Sequence, residues 1–395
     1  MMAEKYIRVG TTLYKIVHRP LISGDYVEDK VVWNYETLRQ DYGRGNLPDI
    51  EKYDGFCIIP DHLNYTKVYG SYLNQYEPIP YLPQDGSCPQ IIKFLMHIFG
   101  EQLELGLDYL QILYTRPTQI LPILLLVSNE RNTGKTTFLR LLKMIFGKNA
   151  TFNSNEDFRS QFNADWANKL LVLVDELLLN KIEDTEKIKS LSTAGDYKIE
   201  AKGKDRREIE FFAKFVLCSN NERNPIIIPP EETRFWVRKI DPVIKDDTHL
   251  REKMRMEIPA FLQYLLQRKL TTHPESRMWF NPKSLVTPAL RKIQKYNTNK
   301  VEVEMANYCF DIMEKLQTDR FCGCPKDFIE VIRAAGLKAD LTQIRSILRD
   351  NWRLKSENNT EYVFYGIDHI GELVPQKKKG RYVVIRRELV ARIAE

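Results

Sequence analysis

The sequence predicts an α/β protein organised around a parallel sheet, and three observations carry that expectation. Ile123 to Val127 is an uninterrupted apolar run, bounded by Pro122 and by Ser128-Asn129. Leu170 to Val174 is a second, ending in the adjacent carboxylates Asp175 and Glu176. Continuous apolar runs of this length fit strands covered on both faces, as in parallel sheets. From about residue 91 to 275 such runs alternate with segments of helical apolar spacing, the rhythm of βαβ units.

Taken in order, residues 1–90 are rich in Tyr, Pro and Gly, with short alternating segments at Val31-Val32-Trp33 and from Phe56 to Pro60. A small N-terminal α/β domain is expected there. Residues 91–275 carry the parallel-sheet domain. Over 276–395 helical stretches at 302–316, 325–335 and 341–352 precede alternating strands at 361–365 and 381–385, the order of a winged-helix-like domain. A chain of 395 residues has room for two or three such domains.

Composition narrows the class without naming it. Apolar residues make up 43% and charged residues 28%, values of a globular protein with a sizeable core. The net charge of +6 permits an anionic partner without demanding one. There is no apolar run long enough to span a bilayer, and MMAEKYIRVG lacks signal-peptide architecture, so no membrane partner is expected. The 6 cysteines are scattered, and the close pair Cys322 and Cys324 lacks a second pair at zinc spacing. Reduced thiols in a cytoplasmic protein are the expectation.

The chemistry concentrates after the first apolar strand. Asn129 to Thr136 (NERNTGKT) follows the pattern G-x-x-x-x-G-K-[ST] except that Asn129 replaces the first Gly, and an apolar-spaced helix follows from Phe138 to Ile145. Such a loop wraps backbone N–H groups around phosphates, aims a helix N-terminus at them, and supplies a Lys for the β/γ oxygens and a hydroxyl for Mg²⁺. Asn tolerates left-handed backbone better than other non-Gly residues, which accommodates the departure. The expected phosphate-binding residues are Asn129, Asn132, Thr133, Gly134, Lys135, Thr136 and Thr137. The bland alternative, a chance GKT on a surface loop, lacks the strand before it and the helix after it.

Asp175 and Glu176 end the second strand, where open α/β sheets bind ligands. Asp175 is the candidate metal ligand together with Thr136, and Glu176 the residue that polarises the attacking water. Beyond them come Lys189, Gly195-Asp196 and a basic turn containing Lys198, Lys202, Lys204 and Arg206. Next is an apolar strand from Phe211 to Cys218 that ends in Ser219-Asn220, and then Arg234 and Arg238. Each has a plainer reading. The hairpin cations stand among Glu200, Asp205, Glu208 and Glu210 as a solvated turn would, and Arg234 could pair with Glu231 or Glu232.

This succession resembles the superfamily 3 helicases, AAA+ ring helicases of small viruses, phages and plasmids, and in particular the helicase part of phage and plasmid primase-helicases. The resemblance covers residues 91–275. It implies a P-loop AAA+-type core using ATP and Mg²⁺, with Asn220 as sensor and Arg234 as the arginine that reaches a neighbouring subunit's ATP. A ring of identical chains, a hexamer, follows from that arrangement. It also implies that Lys198, Lys202, Lys204 and Arg206 grip single-stranded DNA during duplex unwinding, in replication of a phage, prophage or plasmid. A primase or other replication protein is a further implied partner, since the chain has no paired Asp-x-Asp with a partnering His. An ATP-driven switch or loader that binds DNA without processive unwinding is the alternative. Lys377 to Arg381 with Arg386 and Arg387 stand open as a solvated β-turn or as a second DNA contact.

Overall fold

The computed structural model describes the chain apart from residues 1–4, 21, 23–25, 44, 161–162, 164–165, 180–181, 200–206, 230, 244–246, 298–299, 338, 368–371 and 395. It divides into two compact units, Met1–Gln294 and Lys295–Glu395.

The first unit opens with β1 (Lys5–Val9), β2 (Thr12–Pro20), β3 (Tyr26–Trp33), α1 (Tyr35–Tyr42) and β4 (Ile50–Tyr53), whose strands form a sheet in the order β3-β2-β1-β4. A second small sheet, β5-β7-β6, comprises β5 (Gly55–Cys57), β6 (Val68–Tyr69) and β7 (Tyr72–Asn74). Helices α2 (Pro89–Phe99) and α3 (Leu103–Thr115) lead into the main sheet. That sheet contains β8 (Ile123–Val127), β9 (Ala150–Asn153), β10 (Leu171–Val174), β13 (Lys214–Ser219) and β14 (Phe235–Lys239). Between them run α4 (Lys135–Phe146), α5 (Asn155–Arg159), α6 (Ile182–Leu191) and the hairpin β11 (Asp196–Ile199) and β12 (Arg207–Glu210). The unit closes with α7 (Leu250–Gln267), and α8 (Pro288–Asn297) carries the chain out of it.

The main sheet is 5-stranded, in the order β14-β8-β13-β10-β9, and every pairing is parallel. The continuous apolar runs follow from burial on both faces. Leu124, Leu126, Leu171, Leu173, Val216 and Trp236 pack into one core with α2, α3, α4 and α7. Ile123, Leu125, Val172, Val174, Phe215 and Val237 pack into the other with Phe158, Trp166, Ile188, Leu191, Leu290 and Ile293. Full burial of each such side chain is worth about 1.5–3 kcal/mol. Trp279, Phe280 and Leu285 join the first core and Leu290 and Ile293 the second, so residues 276–294 pack with the sheet and not beyond the expected boundary at 275.

Two further segments have a local physical role. The Glu257-Ile258-Pro259 segment lies inside α7, where the Glu257 carboxylate accepts the N–H groups of Gln90 (2.9 Å) and Ile91 (3.0 Å). It thereby caps the orphan donors at the start of α2. The strand expected from Phe211 begins only at Lys214, because Phe211, Phe212 and Ala213 are buried without ladder pairing. An apolar run does not tell those two situations apart.

The second unit comprises α9 (Lys300–Lys315), β15 (Arg320–Gly323), α10 (Pro325–Ala334), α11 (Leu341–Ser346), β16 (Ser356–Ile367), β17 (Leu373–Arg386) and α12 (Arg387–Ala394). Its sheet runs β15-β17-β16 and is antiparallel. The helix expected over 341–352 ends at Ser346, and a π-helical turn, Ile347–Asn351, continues it. Asp327 is buried and accepts Cys324 N–H (2.7 Å), the Tyr362 hydroxyl (2.7 Å) and the Lys378 ammonium (2.8 Å), tying α10 to the hairpin. Among the described residues no helix is long and apolar enough to cross a membrane.

Candidate nucleotide site

The loop leaving β8 turns through two left-handed residues, Asn132 (φ 55°) and Gly134 (φ 86°), and α4 starts at Lys135. Gly134 is required twice over: its φ is unfavourable for any side chain, and a Cβ there would lie 3.1 Å from the Phe94 ring. Asn129, in the place of the pattern's first Gly, is not among the positive-φ residues. Its side chain has a different use. Asn129 N–H donates to Glu222 Oε1 (3.1 Å), and Glu222 N–H donates to Asn129 Oδ1 (3.1 Å). His97 on α2 lies with Nε2 3.0 Å from the Thr133 carbonyl, and Val243 N–H donates to the Asn132 carbonyl (2.9 Å). The N–H groups of Asn129 and Glu130 are engaged by Glu222 and Ser128 Oγ, and the orphan N–H groups of the first turn of α4 are the donors such a helix start offers to an anion.

Lys135 is 6% exposed, and its ammonium donates to Thr133 Oγ1 (3.0 Å). Burial lowers its pKa, with Cys218, Asp175 and Glu222 opposing that shift. No carboxylate lies within 4.0 Å of it among the described residues, so the cation stands ready for an anion. Thr136 Oγ1 donates to Asp175 Oδ2 at 2.7 Å. Thr137 follows, half-buried, in the same turn of helix.

The order of the sheet explains how residues distant in sequence meet. β13 lies between β8 and β10, with Ser219 level with Val127 and Leu217 level with Val174. Ser128 N–H donates to the Ser219 carbonyl (3.2 Å), and Ser219 Oγ donates to the Leu177 carbonyl (2.7 Å). Asn220, the next residue, is exposed at the C-terminal end of the central strand, between the strands that lead to the Gly134-Lys135-Thr136 loop and to the Asp175-Glu176 turn. Glu176 is exposed and left-handed, φ 59°, and Asn155 brackets its turn by donating to the Glu176 carbonyl (3.3 Å) and accepting Leu178 N–H (3.2 Å). Backbone of that kind in a non-Gly residue is retained where the surroundings over-determine it. Asn221, by contrast, is a turn residue that accepts the N–H groups of Arg223 and Asn224.

Arg234 stands at the other end of the sheet. It precedes Phe235, which is level with Ile123, the first residue of β8, and its carbonyl accepts Ile123 N–H (2.8 Å). Its guanidinium pairs with Glu232 (2.8 Å), the plainer reading of this residue in the isolated chain, and Lys189 pairs with the same carboxylate (2.9 Å). Burial alone raises the Glu232 pKa, but Lys189 and Arg234 outweigh it and hold the carboxyl below the ordinary range. Arg238 is occupied by Gln102 (3.0 Å), which also takes the Trp236 indole N–H.

The basic hairpin is only partly described. Lys198 is exposed on β11 opposite Glu208, and the base is fastened by Phe211 N–H to the Gly195 carbonyl (2.7 Å) and by Tyr197 edge-on to Phe211. Lys202, Lys204 and Arg206 lie outside the described residues. Among those described, no group of three or more His, Cys, Asp or Glu could hold a metal ion. A hydroxyl beside one carboxylate is instead the donor set of a Mg²⁺ ion shared with phosphate, so these residues fit Mg²⁺-nucleotide.

Sequence reasoning passed over Glu222, His97 and Asn155. No motif marks them; their partners lie 93, 36 and 21 residues away.

A family model described as a family of unknown function (DUF5906) matches residues 126–238, from the end of β8 into β14. The comparison with curated proteins found no match. Among solved structures the chain is similar to the apo structure of the NrS-1 C-terminal region (305–718), at 16% identity over 96% of each chain with a TM-score of 0.64. The A form apo structure of that region gives 16% identity, 94% and 95% coverage and a TM-score of 0.64. The likeness is one of fold along nearly the whole chain.

Proposed function

We propose that this chain is the ATP-hydrolysing motor of a DNA helicase serving replication of a phage, prophage or plasmid in a host cytoplasm. The observation that carries the reading is the Thr136–Asp175 bond of 2.7 Å, which closes a Gly134-Lys135-Thr136 loop onto the acidic end of β10. Lys135 would bind the β/γ phosphates, Thr136 and Asp175 would hold Mg²⁺, and Asn129, Asn132, Thr133, Gly134 and Thr137 would line the loop. Bound Mg²⁺ would neutralise charge on the phosphate oxygens. Glu176 takes a proton from the attacking water, and Asn220 orients that water from the strand between loop and base.

Arg234 is assigned to a neighbour's site. It lies too far along the sheet to serve its own loop, and its partner Glu232 holds it at the surface end of β14. A head-to-tail contact that repeats this relation closes as a ring, a hexamer in the related class. Lys198, with Lys202, Lys204 and Arg206, is assigned to single-stranded DNA in the ring's channel. The second unit, helices followed by a long hairpin, is read as winged-helix-like, and the N-terminal sheets as an accessory part of the first unit, with no division at the expected boundary of residue 90. A primase or another replication protein would act beside it.

The test is the steady-state ATPase rate with and without single-stranded DNA, across protein concentration, together with strand separation. DNA stimulation, a rate per subunit that rises with concentration, and duplex unwinding are expected. An ATPase that separates no strands would make the chain an ATP-driven switch or loader. A rate indifferent to DNA would remove the nucleic-acid assignment.

A further inference from the structure

Glu222 lies two residues beyond Asn220, is 5% exposed, and uses both carboxylate oxygens. Oε1 accepts the backbone N–H of Asn129 (3.1 Å) with the Lys239 ammonium 3.6 Å away, and Oε2 accepts the Lys292 ammonium (3.0 Å). Its own N–H returns to Asn129 Oδ1 (3.1 Å), so the first residue of the phosphate loop is gripped at two points. A glycine at 129 could not accept that second bond. Lys292 belongs to α8, which is itself held to β14 by Thr287 Oγ1 donating to the Val237 carbonyl (2.5 Å) and by Leu290 and Ile293 in the sheet's core.

We propose that Glu222 is a positioning residue for ATP: it fixes the opening of the phosphate loop from Asn129, and Lys292 of α8 keeps it in place. The strut runs Asn129–Glu222–Lys292, and it ends on the helix through which the chain leaves the first unit. The proposal rests on the nucleotide reading above and assigns a part of that site which none of its motif residues supplies. Two consequences follow from the geometry. The loop is preorganised by a carboxylate that does not itself meet phosphate, so losing it weakens ATP binding more than turnover. Glu222 and Lys292 act in series, so their losses do not add.

The experiment measures KM and kcat for ATP, the dissociation constant of a fluorescent ATP analogue, and Tm, on the full chain. The variants are Glu222→Ala, Glu222→Gln, Lys292→Met and the double variant Glu222→Ala/Lys292→Met. Glu222→Ala is expected to raise KM and the dissociation constant about tenfold, the scale of a lost hydrogen bond to a charged group, with kcat within about twofold. Glu222→Gln keeps an acceptor for Asn129 N–H but loses its attraction for Lys292, so it and Lys292→Met should share a smaller rise. The double variant should bind no worse than Glu222→Ala. Lys292 is 52% exposed and outside the core, so its variant reports even where Glu222→Ala fails to fold. Unchanged ATP binding in Glu222→Ala and in Lys292→Met, at unchanged Tm, overturns the strut while leaving the ATPase reading intact. A double variant whose effects add overturns the series arrangement. A wild-type chain that binds no ATP analogue while folded removes the underlying reading and the strut with it.

Discussion

Thr136 Oγ1 donates to Asp175 Oδ2 across 2.7 Å, although Thr136 lies in the first turn of α4, beyond β8, and Asp175 follows β10, with β13 between those two strands. The carboxylate thus has a hard-oxygen neighbour on the side where phosphate would enter, and its strand is buried on both faces, which leaves it little freedom to move. Asp175→Asn keeps the shape and loses the charge that a divalent ion needs. Mg²⁺-dependent ATP turnover is expected to fall by about 10²-fold or more, several kcal/mol of charge stabilisation, while nucleotide binding without metal persists. A Mg²⁺ titration of the ATPase rate checks this, and a variant that saturates at wild-type turnover contradicts the metal assignment.

Lys135 leads to a different expectation because no carboxylate relies on it. Its side-chain bond is to Thr133 Oγ1, and burial penalises its charged form. Lys135→Ala therefore breaks no ion pair within 4.0 Å among the described residues, and Glu222 keeps Lys239 and Lys292, so Tm should hold within a few degrees while ATP binding is lost. Differential scanning calorimetry beside a nucleotide-binding titration separates the two effects. A large drop in Tm would mean the lysine is structural.

If Arg234 completes a neighbour's site, two different defects should cure one another. Arg234→Ala keeps an intact loop and base, whereas Glu176→Gln keeps an intact arginine. An equimolar mixture should hydrolyse ATP faster than either parent, since some interfaces then join a good site to a good arginine. An arginine supplied in trans is worth about 10³–10⁵ in rate in related NTPases, so even a few repaired interfaces are detectable. A mixture at the mean of its parents places Arg234 outside the chemistry and leaves it as the partner of Glu232.

What was legible in the sequence divides along physical lines. The strand Ile123–Val127 could be read because a strand buried on both faces has no polar interruptions, and the turn into α4 because Gly134-Lys135-Thr136 and the apolar spacing after it mark a helix start. The α/β class and its parallel sheet followed from the same runs. The use of Asn129 was not legible: its partner Glu222 arrives only because β13 lies beside β8, and strand order is not a local property. The left-handed conformation suggested for Asn129 belongs to Asn132 and Gly134. Nor could the apolar run from Phe211 reveal that its first residues are buried outside the ladder, since burial and pairing share one composition.

The β16–β17 hairpin sorts its cations by partner. Lys378 is committed to Asp327, whereas Lys377, Lys379 and Arg381 have no carboxylate within 4.0 Å among the described residues. Removing the three unpaired cations together is expected to weaken DNA binding and to flatten its dependence on salt, by about 0.7–0.9 in the log–log slope for each phosphate no longer neutralised. Lys378→Ala should instead lower stability by roughly 1–3 kcal/mol, because it leaves Asp327 buried without its counter-charge. Binding isotherms at several salt concentrations, with urea melts alongside, test both. These residues lie within β17 and pair with β16, so the turn the sequence left open for Lys377 to Arg381 is a strand, and an unchanged slope in the triple variant would leave its cations solvated.

Acid stability should report His62, which joins the segment between β5 and β6 to α3. Its Nδ1 lies 2.7 Å from the Tyr114 carbonyl and its Nε2 2.5 Å from the Tyr76 hydroxyl. Burial lowers its pKa from 6.5 to about 4; the Tyr114 carbonyl and Asp61 oppose that shift, and the Lys214 ammonium reinforces it. The sign follows from which state binds the proton. Between those two values the unfolded chain holds a proton that the folded chain does not, so stability is full above pH 6.5 and falls as pH drops toward 4. The fall amounts to about 2 kcal/mol between pH 7 and pH 5. Urea melts of wild type and His62→Gln at both pH values isolate the contribution, since Gln carries no titratable group. The wild type should lose about 2 kcal/mol more than the variant on acidification, and equal losses would mean that His62 takes up its proton within the folded chain.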